Sequence, residues 1–526
     1  MSDRDERGLQ LVSDESTQRK SPGRATRTLE WLKQPKDRLQ GRTAHASVWA
    51  VALRFSDRGL LMIRTIVLAR LLTPEDFGVM GVAVLTLTLV ETLSKTGFRS
   101  ALIQRRDEVD KYLDVAWTVE LLRSIFLAGV MVLAAPWIAR FFGTPEATGV
   151  VRVVAITFVL EGIQNIGTMY FEKDLEFHKR FVLLGGNTLV NLVVSIVAAV
   201  MMRSVWALVI GSLAGSLYTT VASYWLHPHR PRLAWRRQRA GELFSYGRWV
   251  FLSSILRYVN LNLDDIIVGR VLGVDALGRY RVAYNVSQAP ATELSVVVGS
   301  VMFPAFSAVQ DRPAALRRGF DATLQLVAVF STPIAIGIVV LGPAFVSVVL
   351  GEQWVAISTT LQLLGIWGLL RAVGASTGPL FMALGRPRTN TLLLGIEGVL
   401  VAATLYPLVN SWGTEGAAFS TIIGAVVTVP LAVRLCCNLV GYRLRTFLVT
   451  VSLPLLASGV AAAAFYGMEA AGVEAGDSLA AFLADGFVFA LVYGAVSALF
   501  ELVGWYRLRT IVGGALRSGD GSVVEG

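Results

Sequence analysis

Arg54, Asp57, Arg58 and Arg64 carry charge along one side of a helix, because at about 100° per residue all of them fall within about 80° of Arg54. Three guanidiniums against one carboxylate leave a surplus of positive charge. A planar guanidinium fork is suited to two-point contact with phosphate or carboxylate oxygens. Further along, Arg257, Asn260 and Asp264 share a face with Asp265 beside it, and Asn285, Gln288 and Thr292 share another. Glu91 with Lys95, and Glu120 with Arg123, have the spacing of helical ion pairs. The chemistry these residues offer is anion binding by the arginines. Cation or proton exchange falls to Asp264, Asp265, Asp57 or Glu91, with Lys95 beside the last.

The elements that must position these groups are membrane helices. The chain has 526 residues, of which 54% are hydrophobic and only 16% charged, with a mean hydropathy of +0.58. A soluble surface needs about 25% charged residues to be wetted. In a bilayer each of these interior charges costs roughly 2.5–3.5 kcal/mol on insertion scales, so they mark a polar interior. The same composition excludes other functions. No Gly-Lys dipeptide occurs, so a phosphate-cradling GxxxxGK[ST] loop is absent, as are GxGxxG and HExxH. Cys436 and Cys437 are adjacent in an apolar run and frame neither a disulfide scaffold nor a zinc site. His227 and His229 sit among Arg230, Arg232, Arg236, Arg237 and Arg239, where a dication would be repelled. The formal charge of +10 follows the membrane, so nucleic acid is not an expected partner.

Apolar runs bounded by charge and Gly/Pro clusters predict about fourteen spans, near 44–69, 77–98, 114–139, 149–171, 181–202, 205–226, 244–269, 279–305, 319–341, 356–384, 390–409, 413–436, 446–467 and 479–504. Loops after even-numbered spans hold twenty lysines and arginines against six in the odd ones, which predicts cytoplasmic termini. Sliding the chain by 200 residues lays Ile66–Gly78 on Ile266–Gly278, with Arg70 on Arg270, Leu72 on Leu272 and Gly78 on Gly278. Six spans separate the copies, so the halves point the same way about an axis along the membrane normal. The expected organisation is a disordered tail at 1–43, an N-lobe at 44–226, a basic linker at 227–243, a C-lobe at 244–437, two further spans in 438–505 and a tail at 506–526. Arg70 and Arg270, at span ends, are expected to snorkel to the interface. Glu120, Arg123, Arg371 and Glu397 are expected to stitch helices together.

The run beginning LARLLTPEDFG (68–107), the segment EKDLEFHKR (172–180) and the run beginning LDDIIVGRVLGVDALGRYRV (263–310) resemble bacterial polysaccharide transporters. These are the Wzx-type flippases of the superfamily that also holds multidrug/toxin extruders and the lipid II flippase. The resemblance covers residues 44–505. It implies an all-α polytopic membrane protein of the MATE/flippase kind, with two pseudo-symmetric six-helix lobes plus two C-terminal helices. It further implies a transporter, not an enzyme, that moves an undecaprenyl-diphosphate-linked oligosaccharide from the cytoplasmic to the outer leaflet of the cytoplasmic membrane. The implied process is exopolysaccharide, capsule or O-antigen (lipopolysaccharide) biosynthesis, with a polymerase and a chain-length regulator as partners besides membrane lipids. No cofactor is implied, only H+ or Na+ coupling. Similar flippases use cavity cations on their first and seventh helices. By position that role falls on Arg54, Arg58, Arg64 and Arg257, with Asn260, Asn285 and Gln288 in the same cavity. An ion-coupled drug extruder of the same fold is the alternative, although it would favour acids and aromatics over cations.

Overall fold

The computed structural model describes residues 54, 56–94, 110–174, 176–234, 258–471 and 478–504. The expected tails at 1–43 and 506–526 lie outside these residues, as do Lys95 and Arg257. Within them the secondary structure is entirely helical. In chain order the helices are α1 (56–71), α2 (Pro74–Leu93), α3 (Asp110–Phe142), α4 (Ala147–Val154), α5 (Ile156–Ile163), α6 (Tyr170–Lys173), α7 (Phe177–Met202), α8 (Trp206–Leu226), α9 (258–271), α10 (Val274–Ala308), α11 (Pro313–Ala344), α12 (Ser358–Ala375), α13 (Thr377–Ala383), α14 (Pro387–Val440), α15 (Leu444–Ala470) and α16 (Leu479–Leu502). Among the described residues nine helices are long and apolar enough to cross a membrane, or ten if the bent segment Ala147–Lys173 is one span. Large side chains such as Phe126, Leu133, Trp137, Met201, Trp225 and Phe487 stand exposed on the outside. Only a hydrocarbon solvent removes the cost of showing them, and helices satisfy their own backbone groups there.

Helix boundaries follow local chemistry. α2 starts at Thr73, whose hydroxyl accepts from the Asp76 N–H while the Asp76 carboxylate accepts from the Thr73 N–H at 2.9 Å, with Pro74 in the first turn. This capping box satisfies two of the otherwise orphaned amides. The segment Ala147–Lys173 bends by 77°. The break is held by Asn165, whose side chain caps the short 3-10 turn Ile166–Met169 and donates to the carbonyls of His227 and His229. The span of α14 turns back at Gly413 (φ 60°, ψ −138°), which is not helical. Thr404 and Ser420 then meet at 2.9 Å, and a Cβ on Gly416 would sit 2.0 Å from the Leu408 carbonyl oxygen. α14 is therefore a hairpin of two antiparallel helices, each of crossing length.

Helices α2 to α8 pack on one another, and α10 to α16 do the same; the principal seam between the groups is α2 against α10. The closest approach on that seam is reciprocal. A Cβ on Gly78 would lie 1.7 Å from the Val274 carbonyl oxygen, and one on Gly278 would lie 1.8 Å from the Pro74 carbonyl oxygen. Pro74 and Val274, and Gly78 and Gly278, are partners under the 200-residue shift seen in the sequence. Contacts that map onto each other in this way are the mark of a two-fold relation. Around the seam Val82, Leu277, Val282 and Ala283 are buried in one continuous core with Trp354, Leu361 and Val409.

Candidate functional site

The first-helix stripe opens toward the later helices. Arg58 donates from Nη2 to the Asn285 carbonyl on α10 at 3.4 Å. Arg64, one turn and a half further on, is half-buried, and its Nε has no hydrogen-bond partner among the described residues. Arg54 is exposed. Asp57 leaves the stripe: it accepts a short hydrogen bond from the Thr188 hydroxyl on α7. The carboxylate between the arginines is thus also engaged by a neighbouring helix, and the charge count of the stripe stays at three arginines to one aspartate.

On the opposite side of the seam, Asp264 is 8% exposed and accepts from the Tyr280 hydroxyl at 2.8 Å. Asp265 lies 3.6 Å from Arg281, which also donates to the Gly81 carbonyl at 3.1 Å, so this ion pair bridges α9, α10 and α2. Asn285 is exposed. Gln288 is buried in helix packing, donating from Nε2 to the Leu364 carbonyl at 2.8 Å while its Oε1 is unpartnered. Glu91 is half-buried at the end of α2. Asn260 turns to a cavity of about 350 Å³ between α9, α10, α12 and α14, where it is joined by Asp264, Tyr284, Trp367, Arg371, Asn390 and Glu397. Among the described residues no cluster of three His, Cys, Asp or Glu could hold a metal ion.

Sequence reasoning placed some charges well and others not. Glu120 and Arg123 form the pair their spacing predicts, and Arg123 also donates to the Ser94 hydroxyl at 2.6 Å. Arg371 on α12 and Glu397 on α14, read as helix stitches, face the same cavity; Arg371 hydrogen-bonds Tyr284 on α10, and no carboxylate lies within 4.0 Å of its guanidinium among the described residues. Arg371 stacks over Trp367 at 5.2 Å. Arg70 does more than snorkel: it donates from Nε to the Val349 carbonyl at 2.9 Å and from Nη2 to that of Val348. Those carbonyls belong to the π-helical turn Phe345–Leu350, whose geometry leaves acceptors free. Gln353 and Trp354 donate back to the Ala69 carbonyl at 2.6 and 2.8 Å, completing a clasp between the two groups of helices. Arg270, the repeat partner of Arg70, lies over Phe141 at 5.4 Å.

This arrangement of helices and polar interior has relatives. A family model described as "Polysaccharide biosynthesis protein" matches residues 67–359. The "Lipopolysaccharide biosynthesis protein WzxC" of Escherichia coli (strain K12) is 28% identical over 350 residues, 66% of this chain and 71% of that one. The "Succinoglycan biosynthesis transport protein ExoT" of Rhizobium meliloti (strain 1021) is 24% identical over 405 residues, covering 76% and 79% of the two chains. In structure the chain is similar to the "Lipid II flippase MurJ, inward closed conformation", with a TM-score of 0.72 over 87% of this chain and 99% of that one, at 14% identity. That likeness shows a shared fold. The match over more than half of the chain, together with relatives that build and transport bacterial polysaccharides, makes this multi-pass membrane protein a member of the polysaccharide biosynthesis family of flippases and transporters, not an enzyme.

Proposed function

We propose that the chain flips an undecaprenyl-diphosphate-linked oligosaccharide from the cytoplasmic to the outer leaflet by alternating access. In this reading it crosses the membrane fourteen times as two six-helix lobes plus two C-terminal helices, with both termini cytoplasmic. α1 and α9 serve as first and seventh spans, and the α14 hairpin counts as two. The observation that supports the reading is the surplus of arginine over aspartate on α1, with Arg64 the partly buried member. The Arg64 Nε has no hydrogen-bond partner among the described residues, and Arg58 reaches across to a backbone carbonyl of α10. A guanidinium held in a membrane interior without an acid is a large cost unless an anionic group arrives. A diphosphate supplies that group, and the glycan follows it. The C-half cavity with Asp264 is the proposed place of H+ or Na+ coupling.

The test is polymer export in a host deprived of its own flippase, paired with vesicles under an imposed pH or sodium gradient. Arg58→Ala and Arg257→Ala are expected to cut export at least tenfold while Arg→Lys keeps part of it. Abundance should stay normal, since removing an intramembrane charge eases insertion. Asp264→Asn is expected to flip lipid without responding to either gradient. Full export by the Arg54/Arg58/Arg257 triple alanine variant would overturn the diphosphate site.

A further inference from the structure

The cavity walled by α9, α10, α12 and α14 is built for more than an ion. At about 350 Å³ it sits at the lower end of the volumes of small-molecule sites and far exceeds the space of one dehydrated cation. Trp367 and Tyr284 form an aromatic corner, with ring centroids 5.9 Å apart and planes inclined by 45°. Planar hydrogen-bonding groups surround it: the amides of Asn260 and Asn390, the Glu397 carboxylate and the Arg371 guanidinium. One polar group at the corner lacks a partner, and another is held only by its neighbours in the wall. Trp367 is 9% exposed and its indole N–H is buried without an acceptor among the described residues. Arg371 stacks on that indole and hydrogen-bonds the Tyr284 hydroxyl, with no carboxylate within 4.0 Å among the described residues, so its remaining donors are open to a ligand. The backbone also makes room, because a methyl group at Gly398 would lie 2.3 Å from Asn260 Oδ1.

An aromatic wall beside fork-shaped polar side chains matches one class of ligand. The axial C–H bonds of a pyranose give it an apolar face that rests on an aromatic ring, and its adjacent hydroxyls pair with planar amide, carboxylate and guanidinium groups two at a time. We propose that this cavity is a single-sugar subsite, holding one pyranose ring of the glycan against Trp367 and Tyr284 by hydrogen bonds from Asn260, Asn390, Arg371 and Glu397. The inference rests on the reading that the chain carries a lipid-linked glycan. It adds a second point of contact beyond the α1 arginines: the diphosphate is held on one side of the seam and a sugar on the other. Such a division lets the two halves sense that a complete substrate bridges them.

The test uses the full chain in lipid nanodiscs, probed by saturation-transfer NMR and tryptophan fluorescence with D-glucose, D-galactose, N-acetyl-D-glucosamine and D-glucuronate. At least one sugar is expected to bind saturably with a Kd on the order of millimolar. Asn390→Ala and Arg371→Gln should weaken it at least tenfold, and Trp367→Phe severalfold, with thermal unfolding of each variant unchanged. Absence of saturable sugar binding, or sugar binding indifferent to these substitutions, would each overturn the subsite. Sugar-free undecaprenyl diphosphate separates the two levels of the argument. If it binds and no sugar does, the subsite is wrong and the flippase reading stands; if neither binds, both fall.

Discussion

His227 begins the strap that leaves α8, and its ring is locked in place by neutral chemistry. The ring stacks on Tyr170 with planes inclined by 6°, and its Nδ1 accepts from the His229 N–H at 3.2 Å. Burial lowers its pKa below the ordinary 6.5, and the neighbouring His229, Lys179 and Arg230 push the same way against a smaller opposing pull from Glu176. The folded state therefore prefers the uncharged ring. Its contribution is complete above pH 6.5 and is lost as the pH falls through the depressed folded value. Charging Nδ1 also removes the acceptor for His229. Hydrogen exchange over residues 227–234, corrected for intrinsic rates, is expected to show full protection above pH 6.5 and progressively weaker protection as the pH falls below it. His227→Gln should flatten that profile, and protection unchanged down to pH 5 would sink the idea. At this scale the sequence is a partial guide. It shows that Arg54, Arg58 and Arg64 share a face, because helical periodicity is local. It cannot show that Asp57 is claimed by Thr188, or that Arg371 and Glu397 share a wall, because those contacts join helices distant in the chain. The signal that points to the cavity is the recurrence of Asn390, Glu397, Thr421 and Thr428 within apolar runs.

Among the helices, the α2–α10 seam is the place where a single methyl group is felt most. Gly278→Ala would drive Cβ to 1.8 Å from the Pro74 carbonyl oxygen, a backbone atom that cannot rotate away. Overpacking of this kind costs about 1–3 kcal/mol or more. Gly494→Ala on α16 is the matched control, since nothing lies within 4 Å of its Cβ position and alanine is the better helix former by about 1 kcal/mol. Thermal unfolding in detergent should show a lower midpoint for Gly278→Ala and an equal or higher one for Gly494→Ala; equal midpoints would remove the seam's special status. Most helix positions were readable beforehand. The predicted runs 181–202, 205–226 and 479–504 lie on Phe177–Met202, Trp206–Leu226 and Leu479–Leu502, and the Thr73-Pro74 start is written in the residues themselves. The 77° bend before Ile166 was not, because it depends on Asn165 meeting carbonyls more than sixty residues away.

For the molecule as a whole, the proposed orientation in the bilayer rests on the distribution of basic residues. The strap continues into the linker bearing Arg236, Arg237 and Arg239, whereas the connection between α15 and α16 holds no lysine or arginine. Reporter fusions after residues 235 and 472 are expected to report the cytoplasm and the outside respectively. The opposite pair of results would reverse the direction of flipping proposed above. The repeat was the part of the whole-molecule architecture most open to reading, since it needs only a shift of the sequence against itself. The clasp of Arg70 on Val348 and Val349 was hidden, because its acceptors are main-chain atoms that no side-chain pattern reveals.

The meeting of Gly78 with Gly278 has an implication for symmetry. In a dimer of identical half-length chains, whatever stands at a position beside the axis stands there twice. Position 81 and its counterpart 281 would then both be glycine, or both be arginine and repel. In this chain Arg281 instead lays its side chain over Gly81, with Cδ 3.0 Å from where a Cβ on Gly81 would be, and donates to the Gly81 carbonyl at 3.1 Å. Such a lock-and-key pair is accessible only once the two copies differ in sequence. The asymmetry at the axis therefore makes two interchangeable halves sterically and electrostatically unfavourable in this chain.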